Sequence, residues 1–128
     1  MLTGFDDGVV RALLRCSDGL RLLKAIKPHN SRVTCIAVCA QERIVATGSQ
    51  DGTIFFLDLD DDYDPIGFVN FGSAVKSLSW LPKGSQLLVC GESGRVARFE
   101  SPRGFSANTS TTFLLQMPAT EYVLSPEV

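Results

Sequence analysis

One phrase recurs three times along the chain: an apolar run, a glycine, a short polar turn, a second glycine and another apolar run. The copies are Leu2-Thr3-Gly4-Phe5-Asp6-Asp7-Gly8-Val9-Val10, Ala46-Thr47-Gly48-Ser49-Gln50-Asp51-Gly52-Thr53-Ile54 and Val89-Cys90-Gly91-Glu92-Ser93-Gly94-Arg95-Val96. Gly52 follows Gly8 by 44 residues, and Gly94 follows Gly52 by 42. Each copy reads as strand, tight turn, strand. The second glycine of each (Gly8, Gly52, Gly94) supplies the positive φ that a short hairpin turn demands. Gly4, Gly48 and Gly91 end the preceding apolar runs. Asp7-Gly8 and Asp51-Gly52 are strong hairpin signals. Ser93-Gly94 is weaker, and its phrase has one residue fewer between the glycines, which predicts a different turn. Three unrelated hairpins would have no reason to keep this spacing.

A period of about 40–45 residues with this wording marks a four-stranded propeller blade. Strands are expected near 9–15, 19–26, 33–39, 43–48, 53–59, 66–71, 75–80, 86–91, 95–100 and 112–117. The chain is therefore expected to be all-β: about three four-stranded antiparallel blades, one complete and two partial. Residues 29–72 form the complete unit, and 1–28 form most of a blade without its first strand. Residues 73–117 form a degenerate third blade, and 118–128, with Pro118 and Pro126, form a flexible tail. Propellers close with about 4–8 blades. Three units predict no closed ring, and a chain that is a segment of a larger one. Residues 33–40 and 53–57 are apolar on both faces, as strands between stacked blades would be. Residues 9–26 can be laid on a helical face. Cys16-Ser17-Asp18-Gly19 interrupts them with turn chemistry, and the repeat predicts a strand pair there.

Charge excludes some functions. The net charge of −2 does not suit nucleic-acid binding, which calls for a basic face. Residues 46–75 carry six acidic and no basic side chains, whereas residues 1–45 carry seven basic and four acidic. No run of 18 apolar residues predicts a membrane span. The opening residues lack the basic start and apolar stretch of a signal peptide. A cytoplasmic or cytoskeletal setting with reduced thiols is expected, and Cys35 and Cys39 read as small core residues. With a single histidine, His29, and no Cys-x-x-Cys spacing, neither a metal site nor a cofactor is expected. No phosphate-binding loop or paired-carboxylate motif suggests a small-molecule substrate.

These residues resemble the WD-repeat family over roughly 2–117. His29 precedes Val33 by four, as in the family's Gly-His…Val opening, although Pro28 replaces the glycine. Ala46-Thr47-Gly48-Ser49-Gln50-Asp51-Gly52-Thr53 is similar to its second strand and turn. Leu57-Asp58 and Phe99-Glu100 stand where Trp-Asp closes its third strand, and Ser77-Leu78-Ser79-Trp80-Leu81-Pro82 is similar to its first-strand ending. The resemblance implies a hydrogen-bonded brace inside the middle blade. His29 would join Thr47 or Ser49 and the turn Asp51, and Leu57, which cannot donate, would cut the chain short. Phe71 at the histidine position and Ser93 at the aspartate position imply no such brace in the third unit.

The resemblance further implies a non-catalytic scaffold that binds other proteins through loops on the rim. The loop Asp60-Asp61-Asp62-Tyr63-Asp64 is the candidate docking element for a basic partner. A calcium loop starting at Asp58 would need glycine at 63 and glutamate at 69, where Tyr63 and Val69 stand. A narrower similarity links Ala46-Thr47-Gly48-Ser49, Ile54-Phe55-Phe56-Leu57-Asp58 and Pro65-Ile66-Gly67-Phe68-Val69 to the large WD-repeat proteins of cilia and flagella. It implies an axonemal role in motility, with axonemal proteins, dynein or tubulin as partners. A generic WD scaffold in signalling or ubiquitin-ligase adaptor complexes is the alternative. A propeller enzyme would need convergent polar residues along the channel, where the inward candidates are mostly small or apolar.

Overall fold

The computed structural model describes residues 2–60, 63–81, 86–100 and 119–123. Among these residues there is no α-helix. Eleven strands form three antiparallel sheets. Blade 1 has three strands, β1 (Leu2–Gly4), β2 (Val10–Cys16) and β3 (Gly19–Ile26), in that order. Blade 2 follows as β4 (Val33–Cys39), β5 (Ile44–Ser49), β6 (Thr53–Asp58) and β7 (Asp64–Asn70). Blade 3 is β8 (Val75–Trp80), β9 (Gln86–Gly91), β10 (Arg95–Glu100) and β11 (Ala119–Val123). The sheets form an open array in which blade 2 packs against both neighbours. Residues 9–26 form the expected strand pair, β2 and β3.

β11 corrects the reading of 118–128 as a flexible tail where residues 119–123 are concerned; residues 124–128 lie outside the described residues. It pairs antiparallel with β10, Ala119 opposite Phe99 and Val123 opposite Arg95. Without it β10 would be an edge with a row of unpaired N–H and C=O groups. Pro118 and Pro126 flank this strand and do not interrupt it, as proline's missing donor requires. The strand expected at 112–117 lies outside the described residues, as does residue 118.

The turn glycines Gly8, Gly52 and Gly94 have φ of +81°, +88° and +74°. Gly48 answers a different need. A Cβ there would stand 2.6 Å from Val75 Cγ1, and one on Gly4 would stand 2.5 Å from Val33 Cγ1. These glycines let the first strand of the next blade lie against the second strand of the one before it.

The third phrase does not align as its letters suggest. Val33 pairs with Ser49 and Gly48 with Ile54 in blade 2, whereas Val75 pairs with Gly91 and Cys90 with Val96 in blade 3. Gly91 thus occupies the place of Ser49, and Cys90 that of Gly48. The turn itself is not shortened: two residues separate Gly91 from Gly94 just as two separate Ser49 from Gly52, and Glu92–Gly94 form a single 3-10 turn.

The core lies between blades 2 and 3. Ile44, Ala46, Ile54, Phe56 and Val69 of blade 2 meet Val75, Leu87, Val89, Ala97 and Phe99 of blade 3 in one buried cluster with Phe71. Burying a large apolar side chain contributes about 1.5–3 kcal/mol, so this junction holds much of the folding free energy. All six residues of β5 are buried, because its sheet neighbours and two blades surround it. β4 departs from the expected two buried faces. It is an edge strand of its sheet, and Val38 is 52% exposed.

Candidate functional site

His29 lies in the segment leading into β4 and is 1% exposed. Its Nε2 is 2.8 Å from Thr47 Oγ1 on β5, and its Nδ1 is 2.7 Å from Thr53 Oγ1 at the start of β6. Thr53 in turn donates its hydroxyl to Asp51 Oδ1 at 2.5 Å. Asp51 Oδ1 also accepts the Thr53 N–H at 2.9 Å, and Oδ2 accepts the Asn30 N–H at 2.8 Å. The tautomer follows from donor counting. The Thr53 proton is committed to the carboxylate, so its oxygen accepts from Nδ1–H. Nε2 is then the bare nitrogen and accepts the Thr47 hydroxyl. One directed chain results, from Thr47 through His29 and Thr53 to Asp51.

Of the residues that the sequence offered for a brace, His29, Thr47 and Asp51 come together. Ser49 does not touch the ring. Its hydroxyl bonds the Arg32 carbonyl at 2.8 Å and accepts the Asp51 N–H at 3.2 Å, tying the turn to the segment before β4. Thr53 is the member that sequence reasoning missed. It occupies the bridge between histidine and aspartate, whose nearest atoms are 3.7 Å apart. Leu57 is fully buried where a tryptophan would stand. Trp80 instead ends β8 and donates its indole N–H across the blade junction to the Ala37 carbonyl at 3.2 Å.

Burial pushes the His29 pKa below its ordinary 6.5, although the nearby Asp51 carboxylate and the Thr47 backbone work the other way. For Asp51, burial acts upward, but the hydrogen bonds from Thr53 and Asn30 and the nearby His29 outweigh it and hold the carboxyl below 3.8. The pair is a neutral imidazole and a carboxylate. Both ring nitrogens are taken by hydroxyls, so the ring offers no lone pair to a metal or a substrate.

Blade 3 builds the same joint differently. Phe71 replaces the histidine, Val89 the threonine on the second strand, and Arg95 the bridging threonine. The Arg95 guanidinium lies 4.4 Å above the Phe71 ring and its Nη1 is 3.5 Å from Ser73 Oγ. A Cβ on Gly91 would be 2.4 Å from Phe71 Cε2. The larger ring therefore requires glycine where blade 2 has Ser49.

The acidic loop between β6 and β7 is tied down at both ends. Asp60 accepts from Arg43 Nε at 3.1 Å, and Asp64 pairs with Lys24 of blade 1 at 3.3 Å. Tyr63 adopts φ of +59°. Asp61 and Asp62 lie outside the described residues. No group of three His, Cys, Asp or Glu side chains able to hold a metal occurs among the described residues. None of their helices is long and apolar enough to cross a membrane.

A second polar feature lies between blades 2 and 3, at the end of the sheets where β4 and β8 begin. It is a groove of about 280 Å³ lined by Arg32, Val33, Thr34, Gln50, Ala74, Val75 and Lys76.

A family profile described as "WD domain, G-beta repeat" matches residues 20–58. The chain is 35% identical over 114 residues to Cilia- and flagella-associated protein 44 of Mus musculus, an alignment covering 75% of this chain and 6% of that protein. It is 36% identical over 94 residues to the protein of the same name from Chlamydomonas reinhardtii, covering 70% of this chain and 5% of the relative. The chain thus spans only a small fraction of these relatives' length. Among solved structures, Sqt1 from Chaetomium thermophilum superimposes with a TM-score of 0.76 at 19% identity, over 95% of this chain and 33% of the other. A further structure of Sqt1, TM-score 0.75, holds the N-terminus of ribosomal protein L10.

Proposed function

The chain is an array of WD-repeat blades with the fold of WD40 β-propellers, and on that premise we propose that it serves as a non-catalytic protein-interaction scaffold in an axonemal complex of cilia or flagella that takes part in motility. The observation that carries this reading is the similarity to two ciliary proteins from distant organisms across most of the chain. The site geometry supports the non-catalytic part. The one buried histidine is saturated by Thr47 and Thr53 and holds a turn in place. In this reading the partners are other axonemal proteins, with dynein and tubulin as candidates, and the setting is the axoneme.

The β6–β7 loop is included as a docking element for a basic partner. Such a partner would exchange the Arg43–Asp60 and Lys24–Asp64 pairs, each exposed and worth about 0–1 kcal/mol. Affinity capture with the tagged chain, run in parallel from ciliated and non-ciliated cells, tests the proposal. Axonemal components are expected to be enriched from ciliated cells. Recovery of only non-axonemal partners from both sources would count decisively against it.

A further inference from the structure

We infer that the outer face of blade 3 is selective: it stacks a further sheet layer that brings glycine or alanine to Cys90, and it refuses the valine-led strand by which blades 2 and 3 themselves stack. The inference rests on the scaffold reading, in which a blade array continues by stacking; the selectivity is what the side chains add. Both described junctions are made alike. Val33 of β4 lies on Gly4 and Val75 of β8 lies on Gly48, so close that a Cβ on these glycines would stand 2.5 Å and 2.6 Å from the valine Cγ1. Cys35 bounds the Gly48 hollow on its own sheet, its Sγ 2.8 Å from where that Cβ would be. Cys35 and Gly48 are partners across β4 and β5, with the sulfur on the first strand and the hollow on the second. In blade 3 the same partners are Ser77 and Cys90. The sulfur has changed strands, and the hollow is filled. Successive side chains of a strand point to opposite faces. Val89 is fully buried against blade 2, so its neighbour Cys90 lies on the outer face. A valine seated there as Val75 sits on Gly48 would overlap the Cys90 Cβ, because carbon atoms pack no closer than about 3.5 Å.

The rest of the face changes in the same direction. Arg98 pairs with Leu88 where Phe56 pairs with Ala46. Gln86 takes the place of Ile44, and Ser79 that of Ala37. Ile44 and Phe56 are fully buried at the junction with blade 3. Gln86 and Arg98 are half-buried, and Ser77 and Ser79 are exposed. Any layer that closes over Arg98 must bring hydrogen-bond acceptors, because burying a guanidinium without them is costly. The side chains that blade 3 turns toward Phe56 supply none: Leu87 and Val89 are apolar, and the Trp80 indole only donates. A small first-strand residue and a polar centre therefore separate the layer that fits blade 3 from the layers that blades 2 and 3 present.

The junction inside the full chain tests the rule. Gly48→Cys with Cys35→Ser writes the blade 3 pair into blade 2, beneath Val75. The melting temperature of this double variant is expected to fall by about 10 °C. Val75→Ala and Val75→Gly should each lower the melting temperature of the unsubstituted chain, because they empty a packed site. In the double variant the same changes should raise it, because they relieve the overlap. That reversal of sign is the signature, since independent losses of packing would simply add. If the double variant does not fold, a cooperative melt restored by Val75→Ala or Val75→Gly supports the inference equally. An unaltered melting temperature in the double variant, or no recovery with either change at Val75, would overturn it. The measurement needs no partner, so it is independent of the captures from ciliated cells. Axonemal partners without the reversal would leave the scaffold standing and remove the selectivity. The reversal without axonemal partners would do the opposite.

Discussion

Blades 2 and 3 solve one mechanical problem with opposite chemistry. Each must lock the segment entering its first strand against its second and third strands. Blade 2 does it with buried polar groups: His29, Thr47, Thr53 and Asp51, every member hydrogen-bonded. Blade 3 does it with Phe71, Val89 and Gly91 packed together and Arg95 laid over the ring. The difference teaches that these substitutions are coupled. Changing histidine to phenylalanine requires glycine in place of serine for space, and valine in place of threonine so that no hydroxyl is left buried and unpaired. A polar joint is specific and sensitive to pH. An apolar one is insensitive to pH and tolerant of imperfect geometry.

The largest effect is expected where the two blades share one core. Phe56→Ala should destabilise the chain by about 3–5 kcal/mol, the usual range for emptying a buried aromatic site. Phe56 is fully buried and its ring stands 6.4 Å from that of Trp80. Chemical denaturation should show a single transition at lower midpoint. Two separated transitions would mean that the blades are not one cooperative unit.

Next in size is the joint of blade 2. Asp51→Ala should cost about 1–3 kcal/mol, since Thr53 and Asn30 lose their acceptor. An unchanged melting curve would refute the brace. The comparison itself is sharpened by importing the blade 3 solution. His29→Phe alone should be clearly destabilising, and adding Ser49→Gly and Thr47→Val should recover part of the loss. A strictly additive triple variant would mean that the coupling seen between Phe71 and Gly91 does not operate in blade 2.

A smaller effect, about 1 kcal/mol, is expected for Thr53→Val. It would break the bridge while keeping shape. This joint should also make stability depend on pH. The folded state holds His29 below its ordinary 6.5, so the unfolded chain takes up a proton first as pH falls. The stability that His29 contributes is whole above about pH 6.5 and declines below it. That of Asp51 is whole above 3.8 and is lost as pH falls through its lower folded value. Denaturation midpoints across pH 4–8 should lose most of this slope in the His29→Phe triple variant.

The smallest effect belongs to blade 3. Arg95→Ala should cost about 0.5–1 kcal/mol, the low end of what a cation–π contact contributes, since Arg95 is only half-buried. A loss as large as that of Asp51→Ala would mean that Arg95 is a buried linchpin and that the two joints are closer in kind than their residues suggest.

Local features carried the sequence's message. The hairpin turns depend on a few consecutive residues, so Asp7-Gly8 and Asp51-Gly52 announced themselves. The repeat period placed nearly every described strand. His29, Thr47 and Asp51 were legible because they lie at fixed distances from those turns. Thr53 was hidden because it reads as an ordinary first residue of a strand. Only the fold shows its hydroxyl between His29 Nδ1 and Asp51. Ser49 was ambiguous for the opposite reason: two residues from Thr47 on one strand, it shares that face, and a one-dimensional pattern cannot say which reaches the ring. β11 was missed because Pro118 and Pro126 dominated the reading of the last residues.

The sequence by itself determined the number of blades, their turns and the chemistry available to each, because these follow from short-range preferences repeated at a constant period. The tertiary structure alone decided the register of the third phrase, the reason for Gly4 and Gly48, and the direction of the brace. Each of these depends on atoms brought within 3 Å from positions tens of residues apart. The slip of Gly91 shows in the sequence only as one residue fewer between two glycines, and that spacing cannot say whether the strand or the turn has changed; the strand pairing puts the change in the strand.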